Sequence, residues 1–219
     1  KHNKPDHESP FSVTLKGLSC IDPTEEGPIM KLLFVNACVN RATSRTLKLA
    51  RGVIEAMQAQ EPFEVTEIVL EEEKLAPLTT ESLNARQALE QKGEFDDGVF
   101  SYARQFRDAD RIVIAAPFWA SSYPASLKTY IEHIDIVGVN YLFTEHGPVG
   151  LCKADKLTYV TTRGGALPDE ADCGYQNIAV LARLYGIEKT ECVSAAGLDV
   201  IGANVDALLS EALEKASRK

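Results

Sequence analysis

The stretch Arg111-Ile112-Val113-Ile114-Ala115-Ala116-Pro117-Phe118-Trp119-Ala120-Ser121-Ser122-Tyr123-Pro124 joins an apolar run to an aromatic loop. Pro117 cannot donate to a sheet ladder, so it ends a predicted buried strand. Pro124 suits the first turn of a helix, where its missing N–H would have no partner. The stretch therefore predicts a strand, a loop with two aromatic rings and a helix. In open α/β sheets, ligands bind at this carboxyl edge of the parallel strands.

Apolar runs and helical patterns alternate along the rest of the chain. The apolar runs predict strands at 30–36, 63–70, 111–117, 156–162 and 190–197. The helical patterns cover 44–60, 82–106 with a break near Gly93, 124–136, 172–186 and 203–217. Strands that alternate with helices indicate a parallel sheet covered by helices on both faces. We therefore predict a three-layer α/β/α sandwich with a doubly wound, five-stranded parallel sheet of order 2-1-3-4-5.

The first 29 residues differ from the rest of the chain. They hold prolines at positions 5, 10, 23 and 28, mixed charge and no sustained periodicity, whereas Met30 opens the first predicted strand. We expect 1–29 to be an extension or flexible arm, and 30–219 to form one domain. An ordered arm that packs on a neighbouring subunit is the alternative.

Composition and charge exclude several classes of function. The formal net charge is −9 and no basic stripe exists, which disfavours nucleic-acid binding. No apolar stretch approaches the roughly 20 residues of a membrane span. The scattered cysteines with no C-x-x-C pair predict neither disulfides nor a zinc site, but a protein of the reducing cytoplasm. Glu71-Glu72-Glu73 is expected to be a solvated loop and not a metal site. The cysteines are Cys20, Cys38, Cys152, Cys173 and Cys192.

The turn after the first strand has the chemistry of an anion site. A helix begins near Ser44, and helix N-termini present free N–H groups and a partial positive charge. Ser44 and Thr46 add hydroxyl groups, while Arg41 and Arg45 add charge with no acidic residue in the turn. The glycine pattern of dinucleotide sites is absent, so a single terminal phosphate is the better match. Simple N-capping by Thr43 or Ser44, with solvated arginines, remains the alternative.

The turn after strand 156–162 reads Thr162-Arg163-Gly164-Gly165. Paired glycines let a backbone approach the edge of a flat ring, because they carry no Cβ. An ordinary glycine turn is the alternative. Three loops at one sheet edge, each suited to a ligand, favour a flavin mononucleotide whose electronics the loop donors would tune.

From Met30 onward, the chain resembles the FMN-dependent NADH:quinone oxidoreductases and azoreductases, a branch of the flavodoxin-like fold. The resemblance rests on four segments in the order and spacing of that family. They are Ile112–Trp119, Leu127–Tyr130, Phe143–Leu151 and Thr161–Gly165. It implies FMN as cofactor, with NADH or NADPH as electron donor.

The same resemblance implies the residues that hold the cofactor. Those at the phosphate would be Ser44, Arg45 and Thr46, together with Cys38. Those along the flavin would be Pro117, Phe118, Trp119, Ala120 and Ser121 in one loop, and Thr162, Arg163, Gly164 and Gly165 in the other. Ala120-Ser121 stands where the family has Asn-Phe, which implies a wider or differently selective pocket.

The implied reaction is a ping-pong hydride transfer from NAD(P)H through the flavin to a quinone, azo or nitroaromatic acceptor. Because the cofactor carries this chemistry, no catalytic side chain and no metal are predicted. Tyr141 and Phe143 are expected to wall the acceptor pocket, or to pack beneath it. His146 is expected either to donate to the acceptor or to be a partly exposed polar residue.

Two other classes of function share this fold. One is a flavodoxin-type electron carrier, against which segment 138–151 and the turn at 162–165 argue. The other is a non-enzymatic binding or regulatory module that uses the same sheet edge. The apolar segment 138–143 and the resemblance together predict a homodimer, because an exposed apolar patch usually marks an interface.

Overall fold

The computed structural model describes residues 29–217 and contains seven strands and seven α-helices in that range. The strands are β1 (Met30–Asn36), β2 (Phe63–Val69), β3 (Arg111–Ala115), β4 (Tyr141–Thr144), β5 (Gly147–Gly150), β6 (Lys156–Thr162) and β7 (Lys189–Ala195). The helices are α1 (Arg45–Gln58), α2 (Leu70–Glu73), α3 (Thr80–Lys92), α4 (Ser101–Asp108), α5 (Ala125–Ile134), α6 (Cys173–Leu184) and α7 (Val205–Ser217). Apart from Ile29, the arm predicted at 1–29 lies outside the described residues.

The main sheet has five parallel strands in the order β2-β1-β3-β6-β7. The predicted parallel sheet is confirmed, but the order 2-1-3-4-5 is wrong, because two further strands stand between β3 and β6 in the chain. Those strands do not join this sheet. The register sets Asn36 beside Ala115, Ala115 beside Val160 and Val160 beside Val193. The carboxyl ends of four strands therefore meet at one edge.

Alternate residues of the central strands pack into two separate cores. On β1, Leu33 and Val35 point into the core formed with α4, α5 and α6. Leu32 and Phe34 point the other way, into the core formed with α1 and α7. This pattern follows from the two-residue period of a strand that is buried on both faces.

The ends of several elements follow from local chemistry. The predicted break near Gly93 is confirmed, because this glycine has a φ of 70° and ends α3, while α4 starts at Ser101. Strand β3 stops at Ala115, two residues before Pro117, although the N–H of Ala116 still donates to the Val160 carbonyl at 3.0 Å. Glu71–Glu73 was predicted as a loop, but it lies in the single-turn helix α2, which follows directly from β2.

The segment after α5 forms a small antiparallel sheet of its own. Strands β4 and β5 pair from Tyr141 opposite Gly150 to Thr144 opposite Gly147. This pair of strands stays outside the main sheet. Gly150 is required here, because a Cβ at this position would collide with the backbone of Tyr185 and Gly186 after α6. The hairpin is thereby fixed against the end of α6.

Candidate functional site

A cavity of about 250 Å³ opens at the carboxyl edge of the parallel sheet. It lies beside the N-terminus of α1, at the edge where doubly wound sheets bind their ligands. Its walls come from the loops that follow β1, β3, β6 and β7. The lining residues are Cys38, Val39, Asn40, Thr43, Ser44, Arg45, Thr46, Pro117, Phe118, Trp119, Thr162, Arg163, Gly164, Leu198 and Asp199.

A second cavity, of about 310 Å³, lies at the opposite end of the sheet. Its charged residues are already paired, since Lys156 binds Glu191 at 2.6 Å and Arg111 binds Asp155. None of the loops singled out by the sequence reaches it. The cavity at the carboxyl edge is the candidate site, because residues from all three loops that the sequence singled out line it together.

The loop after β1 presents the first turn of α1 to the cavity. The Ser44 hydroxyl caps the helix by accepting a hydrogen bond from the Leu47 N–H at 3.1 Å, so the predicted N-cap is confirmed. No acidic residue lies in this first turn, and its N–H groups have no partner within the helix. The Thr46 and Thr162 hydroxyls are 2.6 Å apart, which ties this loop to the loop after β6.

Cys38 lines the same wall but is almost fully buried. Burial raises the pKa of its thiol above the ordinary value, although a hydrogen bond with the Ser44 side chain acts in the opposite direction. The thiol is therefore protonated at neutral pH, and only a thiolate is a strong nucleophile. Cys38 contributes shape to this wall and no nucleophile.

The loop after β3 is a tight turn from Trp119 to Ser122. These two residues exchange backbone hydrogen bonds of 3.0 and 2.8 Å. Ala120 and Ser121 between them have φ values of 49° and 62°, a left-handed backbone that is costly for residues other than glycine. Ala120 and Ser121 do not line the cavity, whereas the half-exposed ring of Trp119 does. The turn thus presents a flat aromatic side chain.

The loop after β6 approaches the cavity through Gly164. A Cβ at Gly164 would collide with the carboxylate of Asp199, whereas a Cβ at Gly165 would have no neighbour closer than 3.9 Å. Gly165 does not line the cavity. Of the two glycines, only Gly164 lines the cavity, and the space left by its missing Cβ is occupied by the Asp199 carboxylate.

The Arg163 side chain is bound within the protein and is not available to contact a cofactor. It is only 2% exposed, and its guanidinium binds Asp169, the Ser194 hydroxyl at 3.2 Å and the Pro168 carbonyl at 3.2 Å. It anchors the loop in the protein.

Comparisons with known proteins agree with this geometry. Residues 30–219 match the family model described as a flavodoxin-like fold. An FMN-dependent NADH:quinone oxidoreductase 2 of Clostridium acetobutylicum is 34% identical over 195 residues, which cover 86% of this chain and 97% of that protein. The crystal structure of an azoreductase from Bacillus anthracis superposes with a TM-score of 0.73 at 25% identity, over 87% of this chain and 98% of that one. The chain belongs to this flavodoxin-like family of FMN-dependent NADH:quinone oxidoreductases and azoreductases.

The protein is thus an oxidoreductase of that family. A second relative, the FMN-dependent NADH:quinone oxidoreductase of Clostridium beijerinckii, is 34% identical over 191 residues. Those residues cover 85% of this chain and 96% of the relative. The resemblance inferred from the four sequence segments is therefore confirmed.

One wall of this oxidoreductase's cavity was missed by sequence reasoning. It is the loop after β7, which contributes Leu198 and Asp199. Three backbone hydrogen bonds join it to the loop after β6, from Gly197 to Gly165, Leu198 to Arg163 and Asp199 to Gly164, at 2.9, 3.1 and 3.0 Å. The signal was available, because Leu198 and Asp199 directly follow the predicted strand 190–197 of the same sheet.

The residues expected at the acceptor pocket do not line this cavity. Tyr141 is buried, and its ring stacks on Tyr185 with centroids 5.8 Å apart, so it packs into the core. Phe143 projects from the hairpin with 68% of its surface exposed. His146 is exposed in the turn between β4 and β5.

Among residues 29–217, no group of three or more His, Cys, Asp or Glu side chains is placed to hold a metal ion. Of the helices in that same part of the chain, none combines the length and apolar composition that a membrane crossing requires.

Proposed function

We propose that this oxidoreductase binds FMN in the cavity at the carboxyl edge and uses it to pass a hydride from NADH to a quinone. The observation that carries the proposal is the convergence, in one cavity, of a helix N-terminus, an exposed indole and the loop at Thr162 and Gly164. These features match the three parts of a flavin mononucleotide, namely a phosphate, a flat ring system and a polar ring edge.

The residues present fit that cofactor. The free N–H groups of the first turn of α1, with Ser44 and Arg45, would hold the phosphate. The indole of Trp119 would lie along the ring system, and the backbone at Thr162 and Gly164 would meet its polar edge. Ala120, Ser121 and Gly165 do not line the cavity, and Arg163 lines it while its guanidinium is bound to Asp169, Ser194 and Pro168. These four residues would act through the shape of their loops.

When bound, FMN supplies the acceptance and release of hydride, so the chain need not supply a nucleophile or a strong acid. This agrees with the protonated, buried state of Cys38. The residues around the cavity would bind and orient the cofactor, and donor and acceptor would use the same cavity in turn. We propose a ping-pong order on this basis, with azo and nitroaromatic compounds as further acceptors and NADPH as an alternative donor.

We further propose that the working enzyme is a homodimer. Exposed apolar side chains cluster on and next to the β4–β5 hairpin, with Val137, Phe143 and Val149 exposed by 41, 68 and 47%. Closed two-fold pairing is the commonest way to bury such a patch. In the dimer, this hairpin of one subunit would bring Phe143 and His146 beside the cavity of the other.

Release of the cofactor by heat, followed by chromatography, tests the proposal. We expect FMN to be recovered from the purified protein or from protein reconstituted with flavin. The cavity has one helix N-terminus for one phosphate and lacks the glycine pattern of dinucleotide sites. Recovery of mostly FAD, or no uptake of any flavin, would refute the assignment. Parallel double-reciprocal plots with NADH and a soluble quinone would support the ping-pong order, and intersecting plots would exclude it.

A further inference from the structure

Arg45 and Asp199 face each other across the wall of the cavity. The Arg45 Nη1 and Asp199 Oδ1 atoms are 2.7 Å apart, and the two side chains are 41 and 66% exposed. Arg45 is the first residue of α1, next to the free N–H groups that an incoming phosphate would meet. The cation best placed for that phosphate is therefore already bound to a carboxylate of the same chain.

We propose that Asp199 is an internal competitor of the FMN phosphate for Arg45, and that it sets the affinity of the enzyme for phosphorylated flavin. The proposal rests on the proposed function. A phosphate that reaches α1 has to draw Arg45 away from Asp199 and then remains close to a like charge. Asp199 therefore weakens FMN binding through the phosphate and not through the ring.

The negative charge of Asp199 can be removed without disturbing the loop that carries it. The loop is held by backbone bonds, including the one from the Asp199 N–H to the Gly164 carbonyl at 3.0 Å. The carboxylate binds Arg45. Asp199→Asn preserves the size of the side chain and the backbone bonds, so it removes the charge alone.

The chain offers a matched control on the same helix. Lys48 Nζ and Asp206 Oδ1 are also 2.7 Å apart and are both exposed, but neither residue lines the cavity. Asp206→Asn changes the net charge of the protein by the same amount as Asp199→Asn. It therefore separates a local effect at Arg45 from a general effect of charge.

The experiment measures the Kd of FMN and of riboflavin, by quenching of flavin fluorescence, for the full chain freed of flavin. The variants are Asp199→Asn, Arg45→Ala, the double substitution and Asp206→Asn. We expect Asp199→Asn to tighten FMN binding about threefold to fivefold, the size of an exposed ion pair, and to leave riboflavin binding unchanged. The gain should be smaller in the Arg45→Ala background, where only the repulsion between Asp199 and the phosphate remains, and it should shrink at ~0.5 M salt, where the charges are screened.

Three results would overturn the inference while FMN binding itself stands. They are an unchanged or weaker affinity of Asp199→Asn for FMN, an equal gain for riboflavin, and an equal gain from Asp206→Asn. If the wild-type protein bound neither flavin, the proposed function would fail and this inference would fail with it. The measurement with riboflavin therefore distinguishes a failure of the Asp199 inference from a failure of the proposed flavin binding.

Discussion

At the scale of single residues, the narrowest contact in the site is the one between Gly164 and the carboxylate of Asp199. It joins the loops after β6 and β7, and it leaves no room for a side chain at position 164. Gly165, its neighbour in the chain, has space around it and a backbone that other residues can adopt. Two adjacent glycines therefore differ in their structural role.

Gly164→Ala should lower the free energy of unfolding by no more than about 1 kcal/mol, because the new methyl group would push the exposed end of the Asp199 side chain aside and disturb its ion pair with Arg45. Gly165→Ala is the matched control and should change that free energy by less than about 0.5 kcal/mol. Urea denaturation of both variants without flavin measures this difference. Equal stability of the two variants would show that the Gly164–Asp199 contact is not tight.

Sequence reasoning identified most of the residues around the cavity but not what each side chain does. Ser44, Arg45, Thr46 and Trp119 could be found because each follows the end of a predicted strand. The Arg163 side chain could not be placed, since its partners Asp169 and Ser194 lie in other loops and strands. Asp199 was missed for the same reason, because it approaches Arg45 from 154 residues further along the chain.

At the scale of elements, helix α6 supports the strained turn that carries Trp119. The Cys173 N–H, in the first turn of α6, donates to the Ser121 carbonyl at 3.2 Å. Asp172 caps this helix, accepting from the Tyr175 N–H at 3.0 Å, and is itself fully buried. Gly174 lets Asp172, Tyr123 and Tyr159 crowd together, since a Cβ there would lie 2.9 Å from atoms of all three. The turn at the site thus rests on a buried cap.

The stability gained by Asp172→Asn over wild type should be larger at neutral pH than at acidic pH. Burial raises the pKa of Asp172, so the folded protein holds this proton more tightly than the unfolded chain does. The stability that this group contributes is then greatest below its ordinary pKa and falls as the pH rises through the raised value. Asparagine keeps a side-chain oxygen that can accept from the Tyr175 N–H, but it has no buried negative charge that lowers the stability at neutral pH.

Urea denaturation of wild type and Asp172→Asn between acidic and neutral pH measures this dependence. Asp172→Ala serves as the comparison, because it removes both the cap and the titrating group and should be about 1 kcal/mol less stable than Asp172→Asn at every pH. If the advantage of Asp172→Asn over wild type grew as the pH fell, the assignment of a raised pKa would be wrong.

Regular elements with a strong pattern could be predicted from the sequence, and short ones could not. The buried strands β1 and β6 have the predicted bounds, and α1 begins after Ser44 as expected. The four-residue strands β4 and β5 have too few residues for a period, and their pairing is local. Their insertion between β3 and β6 changed the strand order of the sheet.

At the scale of the whole molecule, the two faces of the sheet are covered by helices while the β4–β5 hairpin carries an exposed phenylalanine. The Phe143 ring contacts Tyr141 edge to face, with centroids 5.6 Å apart, but is otherwise 68% exposed. The layered fold was predictable, because alternating strands and helices leave few topologies. Quaternary structure depends on a second copy of the chain, and so the homodimer stays a prediction.

Phe143→Asp should lower both the dimer content and the turnover number, because it would place an unpaired charge in a buried interface. Val180→Asp is the matched control, since Val180 is as exposed as Phe143, at 67%, but lies on α6 and not on the hairpin. Light scattering at micromolar concentration, together with NADH-dependent quinone reduction, measures both effects. A wild-type monomer with full activity would rule out the dimer.

The central claim is that this single chain takes electrons from NADH onto bound FMN and passes them to a quinone without a partner protein. The most direct measurement is an anaerobic titration of the FMN-reconstituted protein with NADH, followed by its visible absorbance. We predict that about one equivalent of NADH removes the flavin absorbance, because a hydride carries two electrons, and that a soluble quinone then restores it. Flavin that binds but stays oxidised in excess NADH would contradict the account and indicate an electron carrier instead.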